Sequence, residues 1–100
     1  MEKFKNDSNA FNFSFERTLK ANEKVILQMP VVSPNKRGIN DIGWLTDGSV
    51  TIYGTLSSDP ENTTLWQEIK DSDDVNKTVS ALKIVNGSSA CSIAIRVILN

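Results

Sequence analysis

The chain ends in a stretch, Cys91 to Leu99, that alternates without a break between two sets of side chains. One set is entirely apolar: Cys91, Ile93, Ile95, Val97 and Leu99. The other set is Ser92, Ala94, Arg96 and Ile98. Because successive side chains of a strand point to opposite faces, this pattern predicts a β-strand with one buried face. Arg96 is the single charged residue of the stretch, so we expect a central strand or one covered by another subunit.

The same alternation recurs upstream. Phe11, Phe13 and Phe15 fall on one face of a strand that continues towards Leu19, and a second strand runs from Lys24 to Met29. The next loop contains Ser33 to Gly38 and is expected to form an exposed tip.

A third strand is predicted from Ile39 to Leu45 and a fourth from Val50 to Leu56. Asp47-Gly48 between them has the composition of a hairpin turn with positive φ angles, so these strands are expected to pair. Within the strands, Gly43 is expected to mark a bulge or a close backbone approach. Gly54 is expected to leave room for Trp44 or Trp66 across the sheet.

Two further strands are predicted, at Leu65 to Ile69 and at Val75 to Val85. The total of seven or eight short strands predicts an all-β fold, a single antiparallel β-sandwich. A jelly roll and an immunoglobulin-like topology both satisfy the count, and the jelly roll is favoured. Residues 1–9 are polar and lack periodicity, so they are expected to form a flexible N-terminal arm before one domain at residues 10–100.

The composition excludes several classes of protein. The 100 residues carry 11 Lys and Arg against 12 Asp and Glu, a formal net charge of −1, which argues against a nucleic-acid partner. No apolar run approaches the ~20 residues of a membrane-spanning helix. The start, Met1 to Asp7, lacks the apolar region of a secretory signal, so we expect synthesis in the cytoplasm without export.

The chain also has few of the residue types on which catalysis usually depends. The chain has no histidine, the commonest general base near neutral pH, and its one cysteine lies in an apolar strand pattern. Asp71, Asp73 and Asp74 lack the glycine and the distal glutamate of a calcium loop and are expected to be solvated. We therefore expect no enzyme activity, no catalytic or metal-binding residues and no cofactor.

Aromatic residues offer one alternative, a binding site for a sugar. Trp44 and Trp66 lie in apolar surroundings and are expected to pack in the core, whereas Tyr53 is expected to face outward. The possible contact residues for a ligand or partner are therefore Tyr53 and the loop residues Asn35, Lys36 and Arg37.

The hairpin-like segment adds a resemblance. Gly48 to Leu56, then Leu65 to Ile69, then a closing strand that ends at Leu99, resemble small β-sandwich virion structural proteins of bacteriophages. These serve as capsid decoration, vertex, head-fibre or tail modules. The resemblance implies a non-enzymatic virion protein, a homo-oligomer that contacts other virion proteins. Carbohydrate-binding β-sandwich modules share the same hairpin style, and that function remains the alternative.

Overall fold

The computed structural model describes residues 1–7, 12–30, 39–70 and 79–99. Within these ranges the chain is all-β. The strands are β1 (Glu2–Lys3), β2 (Lys5–Asn6), β3 (Asn12–Leu19), β4 (Lys24–Gln28), β5 (Ile39–Thr46), β6 (Val50–Thr55), β7 (Gln67–Ile69), β8 (Ala81–Asn86) and β9 (Cys91–Leu99). Several predicted features lie outside the described residues: Phe11, the tip from Ser33 to Gly38, the acidic run Asp71 to Asp74, and the segment from Val75 to Thr78.

The strands form two sheets. The five-stranded sheet has the order β1-β4-β8-β6-β7, and the four-stranded sheet has the order β2-β3-β9-β5. All pairs are antiparallel except β1 with β4, which is parallel. The prediction of an all-β, largely antiparallel fold is confirmed.

Both sheets contribute to one hydrophobic core. Its most completely buried large side chains come from the five-stranded sheet (Leu27, Ile52, Leu82, Ile84) and from the four-stranded sheet (Leu19, Ile95, Val97). Phe13 is also buried in this core, and Phe15 packs against it. The period-two pattern of the sequence therefore identified the inward faces correctly, because each strand has one apolar side to remove from water.

The closing strand β9 lies between β3 and β5, as predicted for a central strand. Cys91, Ile93, Ile95 and Val97 are buried. On the other face Ala94 and Ile98 are half-buried, while Ser92 and Arg96 are exposed. The second face is thus partly covered within the chain itself.

The predicted hairpin at Asp47-Gly48 is wrong. β5 pairs with β9 in the four-stranded sheet, whereas β6 pairs with β7 and β8 in the other sheet, so the turn connects two sheets. Among the described residues no glycine has a positive φ. Gly48 instead allows a close approach, because a Cβ there would lie 2.5 Å from Cβ of Cys91. The turn is held to β9 by Asp47, whose Oδ1 accepts a hydrogen bond from the backbone N–H of Ser92 at 2.8 Å.

The two strand glycines also differ from expectation. The irregularity in β5 falls between Ile39 and Asp41 rather than at Gly43. At Gly54 a Cβ would lie 2.8 Å from Cδ1 of Ile69, so isoleucine occupies the space that was expected to hold a tryptophan.

The N-terminal segment, expected to be a flexible arm, pairs with both sheets. Glu2–Lys3 lies beside β4, and Lys5–Asn6 lies beside β3. Between these two strands, the Phe4 ring meets the Phe15 ring edge-on at a centroid separation of 6.4 Å. Crossing from one sheet to the other in five residues lets this segment close one side of the core.

The two glycines make a matched test of packing. We expect Gly54→Val to destabilise the fold by about 1–3 kcal/mol, since the added methyls meet the buried Ile69. Gly43→Val adds a side chain where nothing lies within 4 Å of the Cβ position. It should change stability by less than about 1 kcal/mol, because a β-branched residue suits a strand. Urea unfolding of both variants measures the difference, and equal losses would contradict this description of the core.

Candidate functional site

Two surfaces of the described residues carry side chains arranged for binding. The first is the aromatic-lysine cluster, defined as Tyr53, Trp66 and Lys83, on the outer face of the five-stranded sheet. The second is the sheet groove, a depression on the outer face of the four-stranded sheet around Gly43 and Arg96.

The aromatic-lysine cluster is assembled by strand pairing. Tyr53 of β6 and Lys83 of β8 are direct partners across the sheet, and their strand neighbours Ile52 and Ile84 point into the core. The Nζ of Lys83 lies 5.1 Å from the centroid of the Tyr53 ring and 4.7 Å from that of Trp66. Both separations are within cation–π range, so the ammonium is attracted to the two rings.

The loop before β7 holds Trp66 in place. Its indole Nε1 donates a hydrogen bond to the backbone oxygen of Thr63 at 3.1 Å. The hydroxyl of Thr55 donates to the backbone oxygen of Leu65 at 2.7 Å, which ties the loop to the end of β6. Trp66 was expected to be a core residue; it lies instead in the cluster, half-buried, whereas Trp44 packs against the core as predicted.

The cluster retains polar groups that can bind a ligand. Within the described ranges, the Lys83 ammonium has no carboxylate partner and the Tyr53 hydroxyl has no hydrogen bond. The exposed Glu68 of β7 is the direct partner of Tyr53 on its other side. The rings, ammonium, hydroxyl and carboxylate form one polar-aromatic surface of the kind that hydrogen-bonds and stacks with a small polar molecule.

The sheet groove has a volume of about 650 Å³. Gly43, Ala94 and Arg96 are among its lining residues, and the exposed Leu45 stands beside them. Arg96 is oriented by Asp7, whose Oδ2 lies 2.9 Å from the Arg96 Nη1. The other oxygen of Asp7 accepts a hydrogen bond from the Ser14 hydroxyl at 2.8 Å. The N-terminal segment therefore forms one wall of the groove.

The contact residues named from the sequence are only partly described. Tyr53 is in the aromatic-lysine cluster, and Asn35, Lys36 and Arg37 lie outside the described residues. Sequence reasoning missed Lys83 and Glu68. The signal was a lysine between two apolar residues, Leu82 and Ile84, but its partners depend on pairing between strands that are distant in sequence.

The described residues include no group of three acidic or cysteine side chains placed to hold a metal ion. Cys91 is buried, as predicted, and its Sγ lies 3.1 Å from Oδ1 of Asn86. No helix in the described part of the chain is long and apolar enough to cross a membrane.

Comparison of the chain with protein-family models, with curated proteins and with solved structures gives no match. The function must therefore be inferred from the fold and these two surfaces.

A double-mutant cycle measures the cation–π contact. We expect Lys83→Met and Trp66→Leu to show a coupling of about 0.5–1 kcal/mol in urea unfolding, because each change removes one side of the interaction. Lys24→Met supplies the control, since Lys24 is exposed on the adjacent strand and should show no coupling to Trp66→Leu. Equal coupling in both cycles would contradict the contact.

Proposed function

We propose that this chain is a non-enzymatic structural protein of a bacteriophage virion, a capsid vertex, decoration or tail component that acts through protein contacts. The observation that carries the proposal is the order of the strands in the two sheets. It supports a jelly roll, in which two sheets pack face to face. Jelly rolls recur in viral capsid domains and in lectins.

The strand order can be compared with that of an eight-strand jelly roll. There the first, eighth, third and sixth strands form one sheet, and the second, seventh, fourth and fifth form the other. Without the short β1 and β2, the orders β3-β9-β5 and β4-β8-β6-β7 correspond to that arrangement with the sixth strand left out. That sixth strand has no counterpart among the described residues.

An immunoglobulin-like topology fits less well. In that fold the first two strands are neighbours in one sheet. Here β3 and β4 belong to different sheets, as do β4 and β5, and β5 and β6. Repeated crossing between sheets is what the jelly roll requires, so the strand order favours it. A jelly-roll fold supports a virion role only by analogy, because one fold can serve many functions. The content of purified particles tests that role.

Exposed apolar side chains support a role in assembly. Leu45, Leu56 and Leu65 are 80%, 65% and 76% exposed, respectively. When large apolar side chains cluster in contact with water, they typically mark a surface that a partner covers. Leu56 and Leu65 flank one loop, while Leu45 lies on the outer face of the other sheet, so two separate surfaces are available for contacts.

Mass spectrometry of purified particles tests the proposed function. Particles made in cells that carry the gene should contain this chain in many copies, and purified chain should co-sediment with particles that lack it. A scrambled-sequence protein of the same composition is the control for trapping. Absence from the particles and no co-sedimentation would together overturn the proposal.

A second candidate function, carbohydrate binding, is favoured by the aromatic-lysine cluster. Aromatic rings stack on the apolar faces of pyranose sugars, and the Tyr53 hydroxyl, Lys83 ammonium and Glu68 carboxylate can bind sugar hydroxyls. The cluster strengthens this alternative relative to the sequence alone, which predicted that only Tyr53, of the residues Trp44, Tyr53 and Trp66, faces outward.

A glycan array with the wild-type chain tests this second function. We expect any bound glycan to lose at least about tenfold in affinity with Tyr53→Ala and with Trp66→Ala. Leu65→Ala is the matched control, because Leu65 is exposed on the same loop and lies outside the cluster. Absence of any ligand, or a ligand that is insensitive to both ring variants, removes carbohydrate binding.

A further inference from the structure

The outer face of β5 places a protruding apolar side chain next to an unfilled position. Leu45 is 80% exposed, and Gly43 precedes it by two residues on the same face. A Cβ at Gly43 would meet nothing within 4 Å. The two positions are about 7 Å apart along the strand. The same surface therefore carries both a protruding side chain, Leu45, which we call the knob, and an unfilled position at Gly43, which we call the hole.

Strand pairing arranges this surface in rows. One row contains Leu45, its partner Ala94 on β9, and Glu16 on β3. The next row contains Gly43, Arg96, Ser14 and Lys5, on β5, β9, β3 and β2. The rows are adjacent, and both line the sheet groove.

From this arrangement we propose that the sheet groove binds a second copy of this chain in an isologous, two-fold symmetric contact. The two-fold axis lies in the plane of the contact, runs perpendicular to the strands and passes between the two rows. It places the row of Leu45 in each copy over the row of Gly43 in the other. Leu45 of each chain then enters the hole at Gly43 of its partner. The inference deepens the proposed function, on which it rests only for the expectation of repeated copies.

The charges of the two rows are complementary under the same symmetry. Glu16 of one copy faces Ser14 of the other, and Ser14 is flanked in its row by the cations Arg96 and Lys5. The acidic residue of one row is thus set between two basic residues of the opposite row. Since each juxtaposition of opposite charges occurs twice about the axis, it favours this docking over other orientations.

Sedimentation velocity of the full chain over a range of concentrations tests the contact. We expect a monomer-dimer equilibrium that both Leu45→Glu and Gly43→Leu weaken by about tenfold or more. The first removes the knob and the second fills the hole. Leu65→Glu is the matched control, because it makes the same change at a leucine that is 76% exposed outside the groove. It should leave the dimer unchanged.

Charge exchange tests the symmetry of the contact. Glu16→Lys alone sets like charges against Arg96 of the partner, and Arg96→Glu alone sets like charges against Glu16. Each variant should be a weaker dimer than the wild type. A mixture of the two proteins should form a heterodimer, because both pairs between residue 16 and residue 96 are then of opposite sign. A defect that came only from the lost Asp7 contact of Arg96 would not be restored by mixing.

The outcomes separate this inference from the proposed function. A monomer at all concentrations up to about 1 mM overturns the inference. A dimer that tolerates Leu45→Glu and Gly43→Leu also overturns it and places the contact elsewhere. If either result is obtained and the chain is nevertheless present in purified particles, the proposed virion function is retained and only the dimer contact is rejected. A groove-dependent dimer absent from particles supports the inference and rejects that function.

Discussion

The fold depends on the inward face of β9. This strand lies between β3 and β5, and its buried side chains Cys91, Ile93, Ile95 and Val97 form the middle of the four-stranded sheet's contribution to the core. Its start also anchors the turn between the sheets, through Ser92 and Asp47 and through the close approach of Cys91 to Gly48. Without β9, neither β3 nor β5 would have its long strand partner.

The alternation in sequence was sufficient to predict most of the side chains that enter the core, although not the outer position of Trp66, because a strand that faces water on one side must divide apolar and polar residues by parity. It was insufficient to predict pairing. Asp47-Gly48 has the composition of a hairpin, yet β5 and β6 separate into different sheets. A local turn signal cannot show whether the next strand stays in its sheet, since the outcome depends on β9 and β8, which follow much later in the chain.

The candidate sites were less predictable for the same reason. Tyr53 was expected on the surface from parity alone. Its neighbours Lys83 and Trp66 reach it only because β6 pairs with β8 on one side and with β7 on the other. Likewise, Gly43 lies beside Arg96 through the β5–β9 register, and Asp7 then fixes the arginine from the N-terminal segment. The composition shows which aromatic and charged residues are available for a site. The strand pairing decides which of these residues share a surface.

The two outer faces have different physical properties. On the five-stranded sheet, Lys83 covers aromatic surface of its own chain, so a ligand must compete with the cation–π contacts or use the polar groups beside them. On the four-stranded sheet, the depression at Gly43 is unfilled and Leu45 is almost fully in water. Burial of Leu45 in that depression gains apolar contact without breaking an internal one. The four-stranded sheet is therefore the face on which covering an apolar side chain would break no contact within the chain.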